Sequence, residues 1–155
     1  MSLPFVLDYI GRVPEHVQLQ EILQMNDESE KYGLTLTTQE AQEIIEARSL
    51  ALQNYGRVEL DLDAVCKLIS TFCSSPLISQ EDYALTLREL LELFYYLKNE
   101  TDDSIGDAEL IKEMKDYLVY HCGGSLEMFK GAGIENFVKD LKQKKQQEDL
   151  TKGAD

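Results

Sequence analysis

Apolar residues recur at three- and four-residue intervals along most of this chain, interrupted at short distances by proline, glycine and capping residues. Pro14 followed by Glu15 predicts a first helix to about Glu28, with Leu19, Ile22 and Leu23 as its apolar stripe. Thr37 with Glu40 three residues later forms a capping box for a second helix, which carries Ala41, Ile44, Ile45, Leu52 and Tyr55 and ends at Gly56. A third helix starts after Asp61 or Asp63, presents Val65, Leu68, Ile69 and Phe72, and stops before Pro76. Ser79 and Asp82 cap the longest element, roughly residues 80–99, with a stripe of Tyr83, Leu87, Leu90, Leu91, Phe94 and Leu97. Leu85 and Tyr96 lie off that stripe. A helix apolar on more than one side is either enclosed by others or carries an exposed contact, here Leu85 and Tyr96.

Asp107 is read as the cap of a fifth helix through His121, closed by Gly123-Gly124. A short turn from Ser125 to Lys130 follows. The final helix carries Ile134, Phe137, Val138 and Leu141 and loses its apolar face at Lys142, so residues 142–155 are expected to fray into solvent. Strand signals are few. Leu34-Thr35-Leu36 and the alternating Val58-Glu59-Leu60-Asp61-Leu62 either pair as a minimal two-stranded sheet or stand as two separate linkers. The fold class is mainly α: a single irregular bundle of five or six helices over residues 1–141 with a polar tail.

Charge narrows the class of partner. The chain has 29 acidic against 15 basic residues, a net of −14 over 155 residues. The final 17 residues, Lys139 to Asp155, hold five basic and four acidic residues, so the excess of acid lies before them. Nucleic-acid backbones and anionic membranes need clustered Lys and Arg, so neither is an expected partner. No stretch approaches the roughly 20 apolar residues of a membrane span. The run Leu3 to Ile10 is short, broken by Asp8 and has no basic lead, unlike a secretory signal. Cys66 and Cys73 would sit about 10 Å apart on one helix, too far for a disulfide. With Cys122 they read as reduced thiols of a cytoplasmic protein.

Few residues carry chemistry. Aligning Gly106 with the required glycine of an EF-hand loop leaves Ile105 and Lys112 where oxygen donors must stand, which excludes that calcium site. Zinc needs paired ligands, and His121-Cys122 has no second pair. Cys122 at the negative end of a helix has its thiolate disfavoured. Only His16 and His121 are available as imidazole bases, and no nucleophile elbow, phosphate loop or dinucleotide fingerprint occurs. No catalytic residue, metal site or cofactor is assigned.

Arg48 is the polar residue that stands out, because it falls inside the apolar stripe of the second helix. Buried there, it needs a partner, since an unpaired buried charge is costly. One reading pairs it with an acidic residue of a neighbouring helix. The other makes Arg48 and Arg57 a site for a small anionic ligand or a partner's carboxylate.

The phrases Tyr32-Gly33-Leu34-Thr35-Leu36, Glu46-Ala47-Arg48, Tyr55-Gly56-Arg57-Val58-Glu59, Phe94 through Thr101 and Cys122-Gly123-Gly124-Ser125 occur in one order. Together, over roughly residues 30–139, they resemble a family of small bacterial, Firmicutes-type proteins of unknown function. The resemblance implies a bacterial cytoplasmic protein and no assigned activity. The expectation is a non-enzymatic helical protein acting through contact with an unidentified protein partner or as a homodimer. Binding of a small anion at Arg48 and Arg57 is the alternative.

Overall fold

The computed structural model describes residues 15–153. Pro14 and the apolar run from Leu3 to Ile10 lie outside the described residues, as do Ala154 and Asp155. Six helices of ten or more residues account for most of the described chain: α1 (Glu15–Gln24), α2 (Thr38–Asn54), α3 (Asp63–Phe72), α4 (Tyr83–Glu100), α5 (Asp107–Tyr120) and α6 (Ile134–Gly153). No strand occurs among the described residues, and the fold is mainly α. The chain divides into two compact units, one ending at Glu92 and the other starting at Leu93. The boundary falls within α4.

In the first unit α1 packs against α2 and α3. The core is made by Ile22, Ile44, Ile45, Leu68, Ile69, Phe72, Leu87 and Leu90. Each such side chain is worth about 1.5–3 kcal/mol of burial. The capping box opens α2 as its sequence predicts. The Thr37 amide donates to Glu40 Oε1 at 2.9 Å, and the Glu40 amide donates to Thr37 Oγ1 at 3.1 Å. At the other end Gly56 takes φ 61°, and the amides of Gly56 and Arg57 donate to the carbonyls of Gln53 and Leu52. That pattern closes the helix as a Schellman motif and needs a residue that tolerates the left-handed region.

The two extended segments do not pair. Leu34 to Leu36 is saturated by other groups. The Asn26 amide group bonds both the Leu36 amide (2.8 Å) and its carbonyl (3.0 Å), and the Gln80 amide group does the same for Thr35 (2.8 and 3.0 Å). The Leu34 amide donates to the Ser29 carbonyl, and Ser29 Oγ donates to the Leu34 carbonyl at 2.6 Å. With its backbone groups already satisfied, this segment has nothing to offer a strand partner.

α4 begins at Tyr83, later than the sequence suggests. Ser79 still accepts from the Asp82 amide at 3.4 Å, but residues 80–82 form a turn. Ala84, Leu93 and Tyr95, off the predicted stripe, are buried too, so α4 is covered on more than one side.

In the second unit Asp107 does not cap α5. Gly106 holds the capping position, and Asp107 turns its carboxylate to Lys98, Oδ1 to Nζ 2.8 Å. Lys98 is 6% exposed, donates to the Ile105 carbonyl at 2.8 Å and has Asp103 Oδ1 at 3.7 Å. The ammonium thus ties the acidic loop after α4 to the start of α5. Beyond α5, the left-handed Gly123 and Gly124 let the chain turn into one helical turn (Leu126–Met128) and a π-helical turn (Phe129–Gly133). α6 stays helical to Gly153 instead of fraying at Lys142. Its Lys, Gln and Glu residues favour helix without an apolar stripe, and Lys144 pairs with Glu113 of α5.

Candidate functional site

Arg48 is buried, 4% exposed, as its place in the stripe of α2 requires. Its partners are not carboxylates. Nη2 donates to the carbonyl oxygens of Glu59 and Asp61 at 2.8 and 2.7 Å. The guanidinium therefore holds the segment between α2 and α3 alongside α2. Nε is buried and makes no hydrogen bond among the described residues. Arg57 is half-buried beside the turn at Gly56, and its amide helps close α2. Asp61 Oδ1 accepts from the Asp63 amide at 3.0 Å and so starts α3.

The segment held by Arg48 alternates, but in the reverse sense from a half-buried strand. Arg57 and Glu59 are half-buried, whereas Val58 is 85% and Leu60 58% exposed. The backbone follows the same division. The carbonyls of Glu59 and Asp61 are taken by Arg48. Among the described residues, the amides and carbonyls of Val58 and Leu60 make no hydrogen bond. Residues 57–59 have no regular structure and Leu60 and Asp61 form a bend, so that one nitrogen of Arg48 reaches the carbonyls of both Glu59 and Asp61. The bend leaves the side chains of Val58 and Leu60 exposed. Sequence reasoning picked out the alternation. It could not tell which residues faced out, because that depends on Arg48 reaching this segment from another helix.

The other candidates are placed as follows. Leu85 is 48% exposed on α4, and Tyr96 is half-buried on the same helix. They belong to different compact units. Burial pushes the Cys66 thiol up, helped by Glu21, Asp63 and Asp61, and burial alone pushes Cys122 up. Neither is an activated nucleophile. His121 stacks on Tyr117, ring centroids 4.7 Å apart; its amide donates to the Tyr117 carbonyl at 2.9 Å, and its imidazole makes no hydrogen bond among the described residues. No group of three or more His, Cys, Asp or Glu side chains among the described residues could hold a metal ion. No described helix is long and apolar enough to cross a membrane.

One open cleft of about 160 Å³ lies in the second unit, with Tyr117, Phe137 and Leu141 beside Glu113, Asp116 and Asp140. Burial, and to a smaller extent Cys122 and Asp140, push the Tyr117 phenol up, while its hydroxyl donates to the Gly133 carbonyl at 3.1 Å. Lys144 on the same rim is raised by its bond to Glu113. Tyr117 is thus tied to the Gly133 backbone and Lys144 to Glu113, and His121, Asp116 and Asp140 also line the cleft.

The chain belongs to a family of unknown function, DUF6323, whose pattern it matches over residues 21–147. No curated protein and no solved structure matches it significantly.

Proposed function

We propose that this protein is a non-enzymatic, cytoplasmic interaction module that meets a protein partner through residues 57–61. What carries the reading is the inverted burial of that segment: apolar Val58 and Leu60 face water while Arg57 and Glu59 turn inward. A buried arginine spends both its bonds on the neighbouring carbonyls, so the segment is rigid before any partner arrives. Rigidity lowers the ordering cost of binding. Two apolar side chains exposed on a segment held in place offer a partner contact area that is costly to leave in water. Binding of a small anion at Arg48 and Arg57 has less support, since an anion would compete with two carbonyls already bonded to Arg48. Leu85 is a further exposed contact for the partner; Tyr96 is half-buried.

A photo-crosslinking residue at Val58, compared with one at Leu150, tests the reading in cells. Leu150 is 73% exposed and lies on α6. Adducts are expected from Val58 and not from Leu150. Adducts from neither position, or equal capture by both, would refute it.

A further inference from the structure

We propose that the cleft between α5 and α6 binds a primary alkylammonium ion, its apolar stem on the cleft floor and its charged head by the carboxylates of Asp116 and Asp140. The site lies wholly in the second compact unit and does not depend on residues 57–61.

Helical spacing builds the cleft. Asp116, Tyr117 and Tyr120 share one face of α5, and Phe137, Asp140, Leu141 and Lys144 share one face of α6. The floor is apolar and fixed. Phe137 and Leu141 are each 3% exposed, the rings of Phe137 and Tyr117 have centroids 4.7 Å apart, and the Tyr117 hydroxyl is tied to the Gly133 carbonyl. The rim is anionic. Asp116 and Asp140 are exposed, and their carboxylates have no hydrogen bond or ion pair among the described residues. Tyr120, 79% exposed, is the last residue of α5 and stands where the helix presents its negative end.

Charge and size select the ligand. An anion is repelled by this rim, and a neutral apolar guest would cover two carboxylates without a counter-charge. Glu113, Asp116, His121 and Asp140 all line the cleft, yet no three such groups converge tightly enough for a metal ion. A larger organic cation does not need that convergence, and aromatic ring faces attract it as well. The volume, about 160 Å³, is close to that of a cavity that holds benzene, so it takes about six heavy atoms. Five carbons and an ammonium nitrogen meet that limit.

The rim already stabilises one ammonium. Lys144 is held protonated by its bond to Glu113, with Glu109 and Glu148 adding to the effect. It occupies Glu113 and leaves Asp116 and Asp140 for the ligand. Its own positive charge and the openness of the cleft keep binding weak, with a Kd on the order of 1 mM.

Titration of the full chain with pentylammonium chloride at low salt, followed by the NMR signals of the Tyr117, His121 and Phe137 rings, tests the site. Saturating shifts are expected, with pentanol, of equal length and no charge, roughly five-fold weaker or more. Asp116→Asn combined with Asp140→Asn is expected to weaken pentylammonium by a similar factor. Both positions are exposed, so the core is untouched. Asp27→Asn with Glu30→Gln removes the same charge from exposed positions in the first unit and is expected to leave the Kd unchanged. Nα-acetyl-lysine methylamide then separates the sources of the ligand. A Kd matching that of pentylammonium assigns the cleft to a lysine side chain of a protein, and binding of pentylammonium alone assigns it to a free amine. Shifts that do not saturate, equal binding of pentanol, or equal losses from the two double variants overturn the proposal.

Discussion

Replacing Arg48 by methionine removes the guanidinium while keeping most of the stem. Two bonds from a charged donor to carbonyls are lost, each worth about 1.5–3 kcal/mol. Three effects offset part of that loss. The buried Nε, which has no partner, disappears, returning roughly 1–3 kcal/mol of desolvation. The charge is no longer held at 4% exposure. The freed carbonyls belong to half-buried Glu59 and exposed Asp61, where water can reach them. The net cost is therefore about 1–3 kcal/mol, measured as the change in unfolding free energy in urea. The local effect exceeds the global one, because residues 57–62 lose the anchor that holds them beside α2. Hydrogen exchange is expected to accelerate at the bonded amides that flank the segment, Arg57 and Asp63, with the middle of α3 and α4 little changed. Both bonds come from a single nitrogen, so Arg48→Lys, with a shorter reach, recovers part of the loss. An Arg48→Met protein with unaltered stability and unaltered exchange at Arg57 and Asp63 would refute the reasoning.

Removing the Lys98 ammonium, as in Lys98→Met, is expected to destabilise by about 1–3 kcal/mol on urea unfolding. A buried pair broken from one side costs about 3–5 kcal/mol, but Asp103 and Asp107 keep contact with water and soften the loss. Burial pushes the Tyr83 phenol up to about 12, against the opposing effect of the nearby Ser29 hydroxyl. The folded protein holds this proton after the unfolded chain has lost its own, so stability is full below pH 10 and falls as pH rises towards 12. Tyr83→Phe should flatten that part of a stability–pH profile, and its buried hydroxyl makes no hydrogen bond whose loss would cost at pH 7. A Cβ on Gly133 would meet the Met128 carbonyl at 3.1 Å and Tyr117 Cε1 at 3.3 Å, whereas one on Gly131 meets nothing within 4 Å. Gly133→Ala is expected to lose roughly 1–3 kcal/mol in thermal unfolding and Gly131→Ala no more than about 0.5.

Local rules carried most of the helical architecture. The Thr37–Glu40 box, the closure at Gly56 and the stop before Pro76 each act within a few residues, so they are legible in the chain itself. The late start of α4 and the Gly106 cap of α5 were not. In the second case Asp107 had a choice between the helix end and Lys98, and the choice was decided by an ammonium nine residues earlier.

By itself the sequence determined a mainly helical, acidic chain, the stripes its helices bury, and an arginine obliged to find partners inside one of them. Tertiary structure decided what those partners were. Asn26 and Gln80 reach Leu36 and Thr35 across 10 and 45 residues and close one extended segment completely. Arg48 reaches Glu59 and Asp61 across 11 and 13, bends the other segment and leaves Val58 and Leu60 exposed. Both segments read alike as short alternations, because pattern reports which side chains are apolar. Which of them end up facing water depends on donors and acceptors brought from elsewhere in the chain, and that contrast is what makes residues 57–61 the surface to test.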